Sequence, residues 1–216
     1  MDTALINYYK DRAAEYEKIY HKAERQTDLT DAALALQSIF SGKEILEIAC
    51  GTGYWTEKLS VTAREILATD INETVIDIAK TKNYSPASVR FQTTDLYQLP
   101  HSSLYESLFG GFIWSHIALR ELPHFINVVN KLVHKDGTVV FMDNNYVEGS
   151  NLPITDRDEE GNTYQTRLLE NGTSHKVLKN FPTEGFIRDL LKEKASRVEF
   201  ISLQYYWILK YRAFSI

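Results

Sequence analysis

The sequence predicts an α/β fold, a doubly wound sheet with helices on both faces, and three observations predict it. Ile45 to Thr56 reads Ile-Leu-Glu-Ile-Ala-Cys-Gly-Thr-Gly-Tyr-Trp-Thr, an apolar strand that turns at two glycines into a helix. A second apolar run, Glu65 to Asp70, ends in a carboxylate nineteen residues after Gly51, the spacing at which such sheets offer an acid to a ribose. Further apolar runs then alternate with helix-period segments along most of the chain. The 216 residues, 44% hydrophobic and 25% charged, suit one domain with a sizeable core.

The turn after the first strand is where a doubly wound sheet binds a nucleotide-like ligand. Gly51 and Gly53 allow the tight turn and let backbone approach a ligand. A dinucleotide site wants a third glycine and places a pyrophosphate at the helix start. Here Thr56 stands at that third position, which disfavours NAD. Glu47 lies four residues before Gly51, and with Asp70 it puts two carboxylates beside the pocket, with only Lys58 nearby to oppose them. Such a pocket favours a cation. S-adenosylmethionine has the matching parts: a positive sulfonium and α-amino group, a ribose for Asp70, and no phosphate.

The run Glu47-Ile-Ala-Cys-Gly-Thr-Gly53 resembles the first motif of class I S-adenosylmethionine-dependent methyltransferases, small-molecule type, and the resemblance extends through most of the chain. It implies a Rossmann-like, seven-stranded sheet with an antiparallel last strand, an N-terminal helical cap, and a β-hairpin lid between the fifth strand and the last helix. The implied divisions of residues 1–216 are a cap (1–40), a cofactor core (41–150), a hairpin lid (151–180), and a last helix with closing strands (181–216).

Taken in order, residues from Asp2 to Arg25 read as helical, with Tyr8, Arg12, Tyr16 and Tyr20 at four-residue intervals on one face. In related methyltransferases such a helix closes over the cofactor, which implies that Arg12 meets its carboxylate between Tyr8 and Tyr16; ordinary core packing of the tyrosines is the alternative. A helix from Asp28 to Phe40 ends at Ser41-Gly42. After the glycine turn comes a helix over 54–62, the strand ending at Asp70, and a helix capped by Asn72. The strand Val89–Thr93 leads to Asp95, which the family resemblance places on the adenine amino group; a turn cap is the alternative. Ala49, Ile71 and Leu96 complete the expected cofactor contacts.

Leu108 to Trp114 reads as the fourth strand, with Ser115-His116 at its carboxyl end, where such sheets keep their active sites. The Asn/Asp-Pro-Pro-aromatic run of nucleobase amino-methyltransferases is missing there. His116 is the candidate catalytic base and a substrate contact, since an imidazole titrates near neutral pH; a structural histidine is the alternative. Trp114 is expected on the adenine or in the core. A helix over 122–134 and a buried strand over 138–142 follow, ending at Asp143, Asn144 and Tyr146, read as substrate contacts, with turn caps as the alternative.

Asp156 to Glu160 reads as a solvated charged loop. The runs 162–169 and 173–178 flank Asn171-Gly172, a hairpin signal. The hairpin's expected substrate contacts are Tyr164, Arg167, His175 and Lys176, with Arg167 and Lys176 suited to a carboxylate or phosphate; ordinary solvated charges on the hairpin's outer face are the alternative. Pro182-Thr183 opens the last helix, with Phe186, Leu190 and Leu191 inward. Val198–Ser202 and an alternating strand over 205–211 match the family's closing antiparallel strands.

Composition narrows the chemistry. A net charge of −5 argues against a broad nucleic-acid surface and leaves small-molecule acceptors as the default. No apolar run reaches membrane-spanning length and the first residues lack a signal peptide, so a cytoplasmic protein is expected. The single cysteine, Cys50, excludes an internal disulfide, and six scattered histidines imply no metal. The reading is a cytosolic methyltransferase moving a methyl group from S-adenosylmethionine to an O, N or activated C of a small molecule. Its rivals are an RNA methyltransferase, an NAD-dependent oxidoreductase and a non-catalytic S-adenosylmethionine-binding protein.

Overall fold

In the computed structural model, which describes residues 3–102 and 104–214, the apolar runs form β1 (Glu44–Ile48), β2 (Glu65–Asp70), β3 (Ser88–Thr93), β4 (Tyr105–Gly111) and β5 (Val133–Asn144). A separate group of strands follows, β6 (Asp156–Arg157), β7 (Thr163–Leu168) and β8 (Ser174–Leu178), before β9 (Ala195–Ser202) and β10 (Tyr206–Ala213) close the chain. The helices are α1 (Thr3–Arg12), α2 (Gln26–Phe40), α3 (Tyr54–Ser60), α4 (Glu73–Lys80), α5 (Leu122–Asn130) and α6 (Glu184–Leu191).

The main sheet has seven strands in the order β3-β2-β1-β4-β5-β10-β9. β1 to β5 pair in parallel, and β10 runs antiparallel to both β5 and β9. Because β10 lies between two partners, Tyr206 to Leu209 are all buried instead of alternating. The strand order reverses between β1 and β4, so the crevice at their carboxyl ends is the switch point at which such sheets bind ligands. One face is covered by α2, α3 and α4 through Leu36, Phe40, Leu59 and Ile76. On the other, Phe125 and Val129 of α5 and Ile187 and Leu191 of α6 pack against Leu46, Leu108 and Val139.

Several boundaries differ from the sequence reading for physical reasons. β4 spans 105–111 rather than 108–114, because Phe112 takes a positive φ of 60° and breaks the strand just before Trp114. α5 ends at Asn130, and Val133 and His134 join β5, with the Asp136-Gly137 turn inside it. On α6, Ile187 is buried while Phe186 is exposed. The expected Asp2 start of the first helix lies outside the described residues; α1 runs only to Arg12, and residues 13–21 form a 3₁₀ stretch with three residues per turn. Asp156-Arg157, expected in a loop, pairs with β7 and makes the hairpin a three-stranded sheet. Among the described residues no helix is long and apolar enough to cross a membrane.

Candidate functional site

The glycine turn shapes the floor of the site. Ala49, Gly51 and Gly53 have φ of 53°, 55° and 80°. At Gly51 a Cβ would meet only the Tyr16 ring at 4.0 Å, so the glycine serves the left-handed backbone. At Gly53 a Cβ would fall 2.4 Å from the Tyr84 hydroxyl and 3.0 Å from Ala79, so this glycine serves packing against α4 and faces no cleft. Asp70, at the end of β2, accepts the Gly51 N–H (3.0 Å) and the Asn72 N–H (2.8 Å). These bonds lock the turn to the second strand.

A cleft of about 810 Å³ opens above this turn. Of the expected cofactor contacts, Tyr16, Ala49, Gly51, Asp70, Ile71, Asp95 and Leu96 line it, together with His116. Asp95 also accepts the Tyr97 N–H (3.0 Å), so the cap reading holds alongside its place on the wall. Among the described residues no Lys or Arg lines this cleft. Burial raises the Asp70 carboxyl above its usual range, against the lowering effect of its backbone N–H donors.

Glu47 lines a smaller adjoining recess with Tyr16, Tyr20 and Gly51. It is 1% exposed, its Oε2 has no hydrogen-bond partner, and burial pushes its carboxyl up to about 8. The sequence reading gave Glu47 a standing negative charge; in the folded protein it is mostly protonated at neutral pH until a cation arrives. An unpartnered buried carboxyl oxygen beside the glycine turn suits an ammonium group. That fit, with Asp70 at ribose spacing and an acidic wall free of cations, matches the cofactor inferred from sequence.

A second cleft, of about 890 Å³, abuts the first and shares Tyr9, Tyr16, Phe112 and His116 with it. Arg12, Lys22, Arg25, Asn144, Arg167 and Lys179 line it, and no Asp or Glu does among the described residues. Strand alternation sets the hairpin's faces: Gln165 and Arg167 face the cleft, while Tyr164 bonds Asp158 and Lys176 pairs with Asp156 on the outside. Tyr164 and Lys176 are therefore off the cleft wall, whereas His175, opposite Arg167 on the inner face, packs on the Tyr8 ring instead of lining the cleft.

His116 sits where the two clefts meet. Its Nδ1–H donates to the Leu178 carbonyl (2.6 Å), which fixes the tautomer, and the Tyr9 hydroxyl donates to Nε2 (2.7 Å). Burial, with Lys179 and Arg167 nearby, holds the imidazole well below its ordinary value, so it is neutral. Beside it Lys179 donates to Asp143 (2.9 Å) and to the Ser115 hydroxyl (2.6 Å). Burial pushes Lys179 down to about 8; burial would raise Asp143, but the Lys179 ammonium holds it below its usual range.

Arg12, expected on the cofactor carboxylate, lines the second cleft and not the first, and four further expected contacts lie elsewhere. Trp114 is in the core against Phe125, Phe141 and Trp207, because the break at Phe112 turns it away from the crevice. Asp143 is fully buried behind Lys179. Tyr146 is 42% exposed and packs on Phe181. Tyr8 packs under the hairpin with Leu169 and Val177, and its hydroxyl accepts from both Arg12 (2.6 Å) and Arg167 (3.1 Å). Tyr9 rather than Tyr8 faces the clefts, since Tyr9, Arg12, Tyr16 and Ile19 are spaced for a helix that tightens to 3₁₀. Tyr9, Phe112 and Lys179 carry no sequence signal that would have singled them out.

Residues 45–137 match the family described as "Methyltransferase domain". A demethylmenaquinone methyltransferase of Staphylococcus aureus (strain MRSA252) is 25% identical over 129 residues, 57% of this chain and 50% of that protein. The chain thus spans about half the length of that relative. An uncharacterized methyltransferase of Bacillus velezensis is 20% identical and aligns with 97% of this chain and 98% of its own. Among solved structures, DhpI in complex with SAH superposes with a TM-score of 0.78 at 22% identity, covering 99% of this chain and 97% of that one. The seven-stranded sheet with this strand order, the glycine turn tied to the β2 carboxylate, and the matched segment 45–137 together support a class I S-adenosylmethionine-dependent methyltransferase.

Proposed function

We propose that the protein transfers the methyl group of S-adenosylmethionine to a nucleophile on a small molecule by direct displacement where the two clefts meet. One observation carries the reading: an acidic cleft at the strand ends opens, past Tyr9, Tyr16, Phe112 and His116, into a second cleft of opposite sign. Asp70 takes the ribose, Asp95 and Leu96 flank the base, and Glu47 receives the ammonium. Bound there, the cofactor supplies an electrophilic methyl carbon whose bonding pair leaves with sulfur. The chain's own residues position the acceptor and exclude water.

The base role expected of His116 is not favoured, because both ring nitrogens are engaged and nearby cations oppose the imidazolium. His116 instead fixes Tyr9 in the shared wall. Residues 1–40 act as a cap over the 41–150 core and 151–180 as a cover over the acceptor, with 181–216 completing the fold. Thr52 donates to Glu17 (2.6 Å), and Lys18 pairs with Glu170, so the cap is tied to both the glycine turn and the cover.

Calorimetric titration with S-adenosylmethionine tests the reading. Asp70→Asn and Asp70→Ala should weaken binding by roughly a hundredfold, the value of two hydrogen bonds to a charged acceptor, with the far-ultraviolet circular dichroism unchanged. Unaltered affinity would remove Asp70 from the ribose, and wild-type protein that binds NAD but not S-adenosylmethionine would overturn the assignment.

A further inference from the structure

We infer that the methyl acceptor is a small oxyanion, a phosphonate, phosphate monoester or carboxylate, held by Arg167, Arg12 and Lys179, and that one of its own oxygens receives the methyl. The inference rests on the methyltransferase reading and narrows its acceptor.

The charge of the second cleft is the first ground. In a protein of net charge −5, five basic side chains and, among the described residues, no acidic one line a single cavity. Of the five, only Lys179 has a carboxylate ion-pair partner among the described residues. Arg25 is saturated: it donates to Ser150 and Asn144 and stacks on Tyr205 and Tyr206, so it supplies field rather than contact. Arg167 is different. Its guanidinium reaches only Tyr8 (3.1 Å) and Gln165 (3.0 Å), and its buried Nε has no partner. Arg12 likewise has a hydroxyl and two tyrosine rings but no acid. A half-buried guanidinium whose Nε is cut off from water and lacks a partner is costly, and an oxyanion with several lone pairs satisfies it together with the neighbouring Arg12.

The second ground is the want of a free base. An alcohol or ammonium acceptor must lose a proton before or during transfer. At the junction the imidazole donates one nitrogen to Leu178 and receives Tyr9 on the other, and two cations stand beside it. An oxyanion needs no such group. A lone pair on its oxygen forms the O–CH3 bond while the S–CH3 pair returns to sulfur. The sulfonium becomes a neutral thioether, the acceptor loses one negative charge, and no proton moves.

The test titrates S-adenosylhomocysteine-saturated protein with methylphosphonate, acetate and the neutral dimethyl methylphosphonate, then assays ester formation from the two anions by mass spectrometry with S-adenosylmethionine. At least one anion should bind tenfold or more tightly than the neutral probe and yield its methyl ester. Preference for methylphosphonate assigns a tetrahedral acceptor, and preference for acetate a planar one. Arg167→Gln should weaken the anion by roughly tenfold or more, Arg167→Lys should recover part of it, and S-adenosylhomocysteine affinity should stay within about twofold in both. Equal binding of the neutral probe, or full anion affinity in Arg167→Gln, would overturn the inference while leaving the methyltransferase reading intact. Failure of S-adenosylhomocysteine to bind at all would instead remove that reading and the inference with it.

Discussion

The two clefts meet at the same four side chains yet are built from opposite materials. Among the described residues, the first is lined by Asp70 and Asp95 with no Lys or Arg, and the second by five cations with no Asp or Glu. Their origins differ as well. The acidic cleft comes from the ends of β1, β2 and β3 and the turns that follow them, where parallel strands deliver short loops to one edge. The basic cleft is assembled from α1, the 3₁₀ stretch, α2's entry, the end of β5 and the hairpin, elements far apart in the chain. On the proposed reading, a cationic donor and an anionic acceptor would each meet complementary charge and be repelled from the other's site, so that charge would sort the two ligands before geometry aligns them.

The contrast can be sharpened at Glu47, which carries the largest expected effect. Its folded value of about 8 lies above the ordinary carboxyl value, so between pH 4.5 and 8 the native state holds a proton that the unfolded chain has lost. Stability is then full at low pH and falls as pH rises toward 8, at a cost on the order of 3 kcal/mol at pH 7. Glu47→Gln should remove that loss, raising the melting temperature by several degrees at pH 8 but little at pH 4.5, while weakening S-adenosylmethionine. A variant that gains stability without losing affinity would detach Glu47 from the ammonium.

A smaller effect is expected on the basic side. Lys179, pushed down to about 8, loses its charge as pH rises past that value. Anion affinity should fall a few-fold between pH 7 and 9, while S-adenosylmethionine affinity changes in the same range only as Glu47 ionises, in the opposite direction. Calorimetry at the two pH values separates them. Smallest of all is Lys176→Gln. Its ion pair with Asp156 is exposed on the outer face of the hairpin, so the change should cost less than about 0.5 kcal/mol in thermal denaturation and nothing in binding.

The same contrast governs what the sequence could reveal. The acidic cleft is legible because its parts are local: Gly51, Asp70 and Asp95 each follow an apolar run, and strand parity fixes where such ends gather. Glu47's place was legible too, but not its protonation, which depends on burial. The basic cleft has no period of its own. Arg167 was reached through the Asn171-Gly172 turn, whereas Lys179 and Arg25 become neighbours only when the hairpin and the cap fold back over β5. Trp114 and Tyr8 were assigned to the site through the expected strand and helix. A left-handed residue at Phe112 and tightening of the N-terminal helix after Arg12 place them in packing roles instead.

The central claim is that opposite charges face each other across Tyr9, Tyr16, Phe112 and His116. Its most direct test is the affinity of methylphosphonate for protein loaded with sinefungin, which carries an ammonium where the sulfonium stands, against protein loaded with neutral S-adenosylhomocysteine. Neither pair can transfer a methyl group, so the two titrations report coupling alone. The account predicts several-fold tighter anion binding with sinefungin, worth about 1 kcal/mol at the separation of neighbouring partly solvated sites. Equal or weaker binding would contradict it.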